Sequence, residues 1–424
     1  MRPLIGWILL ALLLSASPGL AYDPFSDQRI RPRFVLETEE SLRLVLKGQV
    51  GLGYYDLEGA GGLGNDSTTD TITLGTRSGF VALDGVRLAL RLETPFDLSI
   101  YTAVAFENGT AFAEGAWLDW QMRWSDALQL HTEAGLQLPF VGLDDHTQRA
   151  PLTARIYWGR PEIHTTAELS GQVGDVQGWF GLSAAMMRPM VTEDVNDATT
   201  KDGTIAVLSY GDARPFSGNR PVFGIKAGLA VPHFSLEGFA FLGWLSAVQG
   251  TDELRNRMAH FSLLPGYTAA DPRDQDNRFW WAGGRLQVDW AGVEARVEAI
   301  TSEESLLHRW AGYVQLGYVW TRVDAPLAAF RTIEARLRLE RYQIVDADQP
   351  LSAEHALRAV DPSQALTWDW DVLTAALATQ LYGEVVRLHL EYSLIAEHNG
   401  VSALGQADQS VKNNEFTAQL ELRF

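Results

Sequence analysis

The chain is 424 residues long, carries 53 acidic against 34 basic residues for a net charge of −19, and contains no cysteine. That acidity disfavours nucleic-acid binding and basic-patch adhesion to anionic lipid. The missing cysteine excludes a disulfide framework and a lipoprotein attachment site. A hydrophobic content of 46 % is too ordinary for a helical membrane protein. It does not exclude a β-barrel, whose strands give only half of their residues to lipid.

Met1 to Ala21 reads as a secretory signal peptide: Arg2 gives the positive start, Ile8 to Leu14 the apolar core, and Gly19-Leu20-Ala21 a small-residue cleavage site. The apolar run is short for a bilayer span. Past Ala21 no segment is long and apolar enough for a transmembrane helix, so an exported chain of this kind is either soluble or a barrel. Residues 22–41 are expected to form a periplasmic lead, and 42–424 the folded body.

From there on the chain is strand after strand. The expected strands are 42–55, 80–93, 97–107, 114–124, 127–139, 163–173, 176–188, 221–231, 233–245, 279–290, 292–300, 309–320, 329–343, 369–381, 384–395 and 414–424, sixteen in all. Their connections alternate. Short ones fall at Thr94-Pro95-Phe96, Ser125-Asp126, Gly174-Asp175, Pro232, Ala291, Asp324-Ala325-Pro326 and Tyr382-Gly383. Long ones span 56–79, 108–113, 140–162, 189–220, 246–278, 301–308, 344–368 and 396–413. Turns sorted to one rim and loops to the other predict an all-β fold: an antiparallel transmembrane barrel with short periplasmic turns and long extracellular loops, in a bacterial outer membrane.

Within strands the two faces differ. Val86, Leu88, Leu90 and Leu92 share one parity, Arg87, Arg91 and Glu93 the other; Ile333, Ala335, Leu337 and Leu339 oppose Glu334, Arg336, Arg338 and Glu340; Val386, Leu388 and Leu390 oppose Arg387, His389 and Glu391. Phe416, Ala418, Leu420, Leu422 and Phe424 repeat the pattern at the end. A charge facing lipid costs roughly 2–4 kcal/mol at the midplane, so the charged parity is assigned to a water-filled lumen. Aromatics at strand ends are expected to form two interfacial belts: Trp124, Trp290, Trp320, Tyr382 and Phe424 beside short turns, and Tyr54, Trp244, Trp280, Trp281, Trp368 and Trp370 beside long loops.

The stretch 79–148 resembles the phosphate-selective porin (O and P) family. The carriers are Gly79-Phe80-Val-Ala-Leu-Asp-Gly-Val-Arg87-Leu-Ala-Leu-Arg91-Leu, Glu114-Gly-Ala-Trp-Leu-Asp119 and Leu128-Gln-Leu-His-Thr-Glu-Ala-Gly135-Leu-Gln-Leu-Pro139-Phe140, joined by the terminal 414–424. The resemblance covers about a quarter of the chain, and Leu83-Asp84 stand where the family has paired arginines. It implies a homotrimeric, sixteen-stranded porin whose third long loop folds inward to narrow the channel. The expected partners are therefore outer-membrane lipid and small hydrophilic solutes or inorganic ions, with a preference for anions.

A channel for anions needs fixed cations along its path. The candidates are Arg43, Lys47, Arg87, Arg91, Arg285, Arg296, Arg336, Arg338 and Arg387. Acidic residues share their face, so a wall of cross-strand ion pairs is the competing reading. In the inward loop of the family, residues 141–161 here, the candidates are Asp144, Asp145, Arg149, Arg155 and Arg160. Asn65 to Asp70 and Glu193 to Asp202 are oxygen-rich but lack a calcium-loop signature, and read as solvated loops. No His-Glu-x-x-His, no Gly-x-Ser-x-Gly and no histidine pair at metal-ligand spacing occurs, so no cofactor, metal or catalytic residue is expected. A lipid-active enzyme barrel, a soluble periplasmic β protein and a plugged transporter are the alternatives. The first needs a lipid-facing His–Ser pair, while His389 shares the parity of Arg387 and Glu391.

Overall fold

The computed structural model describes residues 34–37, 42–57, 78–107, 110–125, 127–137, 151–156, 162–187, 190–194, 206–210, 220–244, 278–304, 307–321, 330, 332–344, 369–382, 385–399, 409–412 and 414–423. In chain order the strands are β1 Phe34–Glu37, β2 Arg43–Leu57, β3 Ser78–Glu93, β4 Leu98–Glu107, β5 Thr110–Ser125, β6 Leu128–Gln137, β7 Glu162–Val173, β8 Val176–Met187, β9 Met190–Asp194, β10 Ala206–Tyr210, β11 Arg220–Val231, β12 Phe234–Trp244, β13 Arg278–Trp290, β14 Val293–Glu304, β15 Leu307–Thr321, β16 Thr332–Ile344, β17 Asp369–Tyr382, β18 Val386–Asn399, β19 Gln409–Lys412 and β20 Glu415–Arg423.

Sixteen of these form the wall of a closed antiparallel barrel: β2 to β8, β11 to β18, and β20. Each pairs with its neighbour in sequence order. The ring is sealed where β2 meets β20, from Gln49↔Arg423 to Leu57↔Glu415. Closure leaves no strand edge with unpaired backbone groups, which is the condition for crossing hydrocarbon with strands. Two four-residue strands, β1 and β19, add to the wall: β1, within the stretch expected as a periplasmic lead, pairs with Arg43–Leu46 of β2 and continues the β20 side beyond Arg423, and β19 pairs with the end of β18. The hairpin of β9 and β10 stands apart as its own two-stranded sheet between β8 and β11.

The alternation of faces is explicit in the exposures. Along β16, Glu334, Arg336, Arg338 and Glu340 are 5, 5, 0 and 5 % exposed, whereas Leu337 and Leu339 between them are 45 and 57 % exposed. Charge is inside and leucine outside. The same outward band holds Leu90, Leu118, Phe180, Leu182, Ile225, Leu242, Val314, Leu316, Leu377, Leu394, Leu420 and Leu422. A soluble protein would not bury its arginines and expose its leucines. A closed ring with an apolar outer belt is an outer-membrane barrel. At the short-turn rim Trp124, Trp290, Trp320 and Tyr382 are 57, 67, 45 and 68 % exposed, as an interfacial girdle requires.

Turn chemistry accounts for the short rim. Trp290 pairs with Val293, and the two residues between them, Ala291 and Gly292, both have positive φ (51° and 84°), the condition for the tight hairpin turn that follows strand twist. A side chain on Gly292 would meet the Val319 carbonyl oxygen at 2.8 Å.

Two expectations fail at the opposite rim. Glu107 pairs with Thr110 and Glu304 with Leu307, so the long loops expected at 108–113 and 301–308 are two-residue connections. The first is Asn108-Gly109, the strongest short hairpin signal there is, and Thr110 to Ala113 belong to β5. Two belt aromatics also turn the other way. Trp281 and Trp370 are 0 and 2 % exposed because they share the inward parity of Gly283 and Val372. Phe424, Trp368 and the oxygen-rich segment at 65–70 lie outside the described residues.

Candidate functional site: the inner wall

Strand pairing places the inward side chains in two layers on the β12–β18 side. In the half nearer the long-loop rim they are mostly apolar: Phe239, Phe241, Trp281, Ile300, Ala311, Tyr313, Tyr342, Trp370, Val372 and Ile395 are all buried. Phe241 stacks on Trp281, with ring centroids 4.0 Å apart and planes 14° apart. The half nearer the short turns is ionic. Arg336 reaches Glu334 at 2.8 Å and Glu294 at 3.3 Å; Arg387 shares Glu334 at 3.1 Å; Arg296 pairs with Glu294 at 2.5 Å; Arg338 pairs with Glu340 at 2.7 Å; Arg423 pairs with Glu421 at 2.6 Å. At the seam between the layers, Tyr313 donates to Glu298 at 3.1 Å and its ring lies 6.0 Å from the Arg338 guanidinium carbon.

The other arc of the wall is ionic as well. Arg43 bonds Glu93 at 2.9 Å; Arg91 reaches Asp119 at 3.4 Å, Ser99 at 3.3 Å and Glu93 at 3.5 Å; Lys226 pairs with Glu168 at 2.5 Å, and back on β12 and β13 Arg285 pairs with Glu237 at 3.0 Å. Lys47 is buried inward at 6 % exposure, and Arg87 stands half-buried on the same face. All nine cations named from the sequence therefore project to the interior. In Arg43, Arg91, Arg285, Arg296, Arg336, Arg338 and Arg387 the charge is met by a carboxylate, so the positive field these side chains offer a passing ion is largely cancelled.

One segment crosses this interior. Leu152–Arg155 forms a single 3-10 turn in the connection between β6 and β7, closed by Ala154 N–H to the Pro151 carbonyl at 2.9 Å and Ile156 N–H to the Thr153 carbonyl at 3.0 Å. It packs on β14, β15 and β16. The Leu152 N–H donates to Glu340 Oε2 at 2.5 Å, and Leu152, Thr153 and Ile156 are 2, 0 and 0 % exposed. In the ring order seven strands separate β16 from β6 along each arc of the wall, so it lies directly opposite. Arg155 is the last residue of the turn, while Asp144, Asp145, Arg149 and Arg160 lie outside the described residues.

Register also builds a cluster that spacing did not announce. Asp119 of β5 faces Glu133 of β6, and His131 lies two residues before Glu133 on the same face. His131 Nε2 is 2.9 Å from Asp119 Oδ1 and 3.6 Å from Glu133 Oε1. The i, i+2 pair His131/Glu133 was the one visible sign; its third member comes from the neighbouring strand. A His–Ser contact exists too, His164 Nδ1 to Ser183 Oγ at 3.5 Å, but both are buried on the inward face, so it does not serve lipid-directed chemistry.

Solved structures share this architecture. The outer-membrane channel DcaP of Acinetobacter baumannii aligns over 92 % of this chain and 99 % of its own, at 13 % identity and TM-score 0.50. OprB of Pseudomonas putida aligns over 90 % and 94 % at 9 % identity and TM-score 0.53, and OmpF of Salmonella typhi over 92 % and 100 % at 8 % identity and TM-score 0.53. No protein-family model and no curated protein matches the sequence. The fold thus defines an outer-membrane β-barrel of porin architecture. Identities this low establish that fold and leave the finer family, the phosphate-selective porins among them, as a matter of proposal.

Proposed function

We propose that the protein is a porin: a water-filled outer-membrane channel that passes small hydrophilic solutes by passive diffusion, with a small preference for anions. The observation that carries this reading is the inverted wall, an apolar belt outside and ionic side chains inside, joined to the 151–156 segment docked across the interior on Glu340. An inner wall of charges serves water and hydrated solutes, and a loop laid across it sets a size limit. Selectivity is weak in this account because Glu294, Glu334, Glu340 and Asp119 neutralise the arginines beside them. Phosphate selectivity, which the resemblance of 79–148 would suggest, is weakened because Arg43, Arg91, Arg285, Arg296, Arg336, Arg338 and Arg387 each face a carboxylate partner. The homotrimer and the signal peptide at 1–21 stand with the proposal on the resemblance and on the sequence, and mass in detergent and the mature amino-terminus check them. Liposome swelling tests the central reading. Vesicles holding the refolded protein should swell in small sugars at rates that fall steeply with solute size. Rates equal to protein-free vesicles for every solute would refute it.

A further inference from the structure

We infer that Asp119, His131 and Glu133 form a binding site for a transition-metal dication, of the zinc, copper or nickel kind, on the inner wall. One ligand atom from each of the three residues lies within 4.8 Å of the other two, the one such group of three among the described residues. The same nitrogen faces both carboxylates, at 2.9 and 3.6 Å. Those separations bracket the roughly 3.4 Å edge of a tetrahedron with bonds of about 2.1 Å, the distance zinc takes to nitrogen and carboxylate oxygen.

The remaining oxygens are already occupied in a manner that leaves the first three aimed together. Arg91 donates to Asp119 Oδ2 at 3.4 Å, and Thr166 Oγ1 donates to Glu133 Oε2 at 3.4 Å. Outer donors of this kind orient metal-binding carboxylates and are part of a site's affinity. The strands that carry the ligands are paired along their whole length at this level, through Asp119↔Glu133 and Gln121↔His131, so the cluster is held by the ladder and not by a loop. Side-chain exposures of 12, 31 and 26 % leave the group open to lumen water, which supplies entry and a fourth ligand. One imidazole with two carboxylates suits zinc, copper or nickel, whereas calcium and magnesium prefer oxygen alone. The site does not depend on conduction, and its test is read at equilibrium.

The probe is zinc chloride titrated calorimetrically into the full chain refolded in micelles, with magnesium chloride as control. One zinc per chain should bind in the micromolar range, magnesium should give no heat, and zinc-edge absorption should report a mixed nitrogen and oxygen shell. His131→Asn and Glu133→Gln should each weaken binding at least tenfold, and Thr166→Val by about tenfold through Glu133. His389→Gln, which alters the lumen pair with Glu391, should leave it unchanged. Glu133→Gln is nearly isosteric, so it reads the site even where His131→Asn fails to refold. Wild-type binding weaker than millimolar, or equal affinity in wild type and Glu133→Gln, would overturn the inference.

Discussion

Arg336 and Arg387 converge on a single carboxylate, Glu334, at 2.8 and 3.1 Å, and Arg336 also holds Glu294. Their loss would strip Glu334 of both of these cations and leave Glu294 to Arg296. The pair of changes Arg336→Gln and Arg387→Gln should therefore move the zero-current potential toward cation preference in a salt gradient; an unchanged potential would mean that permeating ions do not sense this arc. Adjacent residues on β16 give a test of orientation. Leu337→Arg sets a charge against hydrocarbon and should cost roughly 2–4 kcal/mol in urea unfolding from vesicles. Arg338→Leu should also be costly, by about 3–5 kcal/mol, because it strips Glu340 of its 2.7 Å partner in a fully buried position. The two can be told apart: Glu340→Gln should recover much of the second loss and none of the first. From the sequence alone Arg338→Leu would be expected to be mild, since parity tells which face a side chain occupies but not that the face is closed over.

At the scale of elements, the strands and their faces were readable because the alternation of apolar and charged residues is the same quantity the bilayer selects. On β16 the parity read from Ile333 to Glu340 is the one observed. What was not readable follows from the same rule. Nearness to loops alone puts Trp281 and Trp370 at an interface, yet one residue of register turns each inward, and the rim half of the β12–β18 interior is rich in aromatic rings. Asn108-Gly109 reads as part of a longer loop because the alternation through Thr110 to Ala113 is poor in charge. The Asp119–His131–Glu133 cluster depends on which residues face each other across β5 and β6, and register is not a local property of sequence. The 3-10 turn supplies the prediction at this scale. Leu152→Asp brings a carboxylate beside Glu340, where the Leu152 N–H now docks. The repulsion should release the segment and raise single-channel conductance, and an unaltered conductance would show that this segment does not limit the passage. At the short rim, Gly292→Val should destabilise by about 1–2 kcal/mol through its positive φ alone, with the approach to the Val319 carbonyl adding to it.

For the whole molecule, sixteen strands close into a ring, the outer belt meets lipid, and among the described residues most inward arginines are paired with carboxylates. A net charge of −19 then says little about selectivity, since solutes meet the compensated wall and not the sum over the chain. The most direct measurement of the central claim is single-channel recording of the refolded protein in a planar bilayer under a salt gradient. The account predicts discrete, ohmic conductance steps and a small zero-current potential of anion-preferring sign. A bilayer that stays silent after verified insertion of the folded barrel would contradict it.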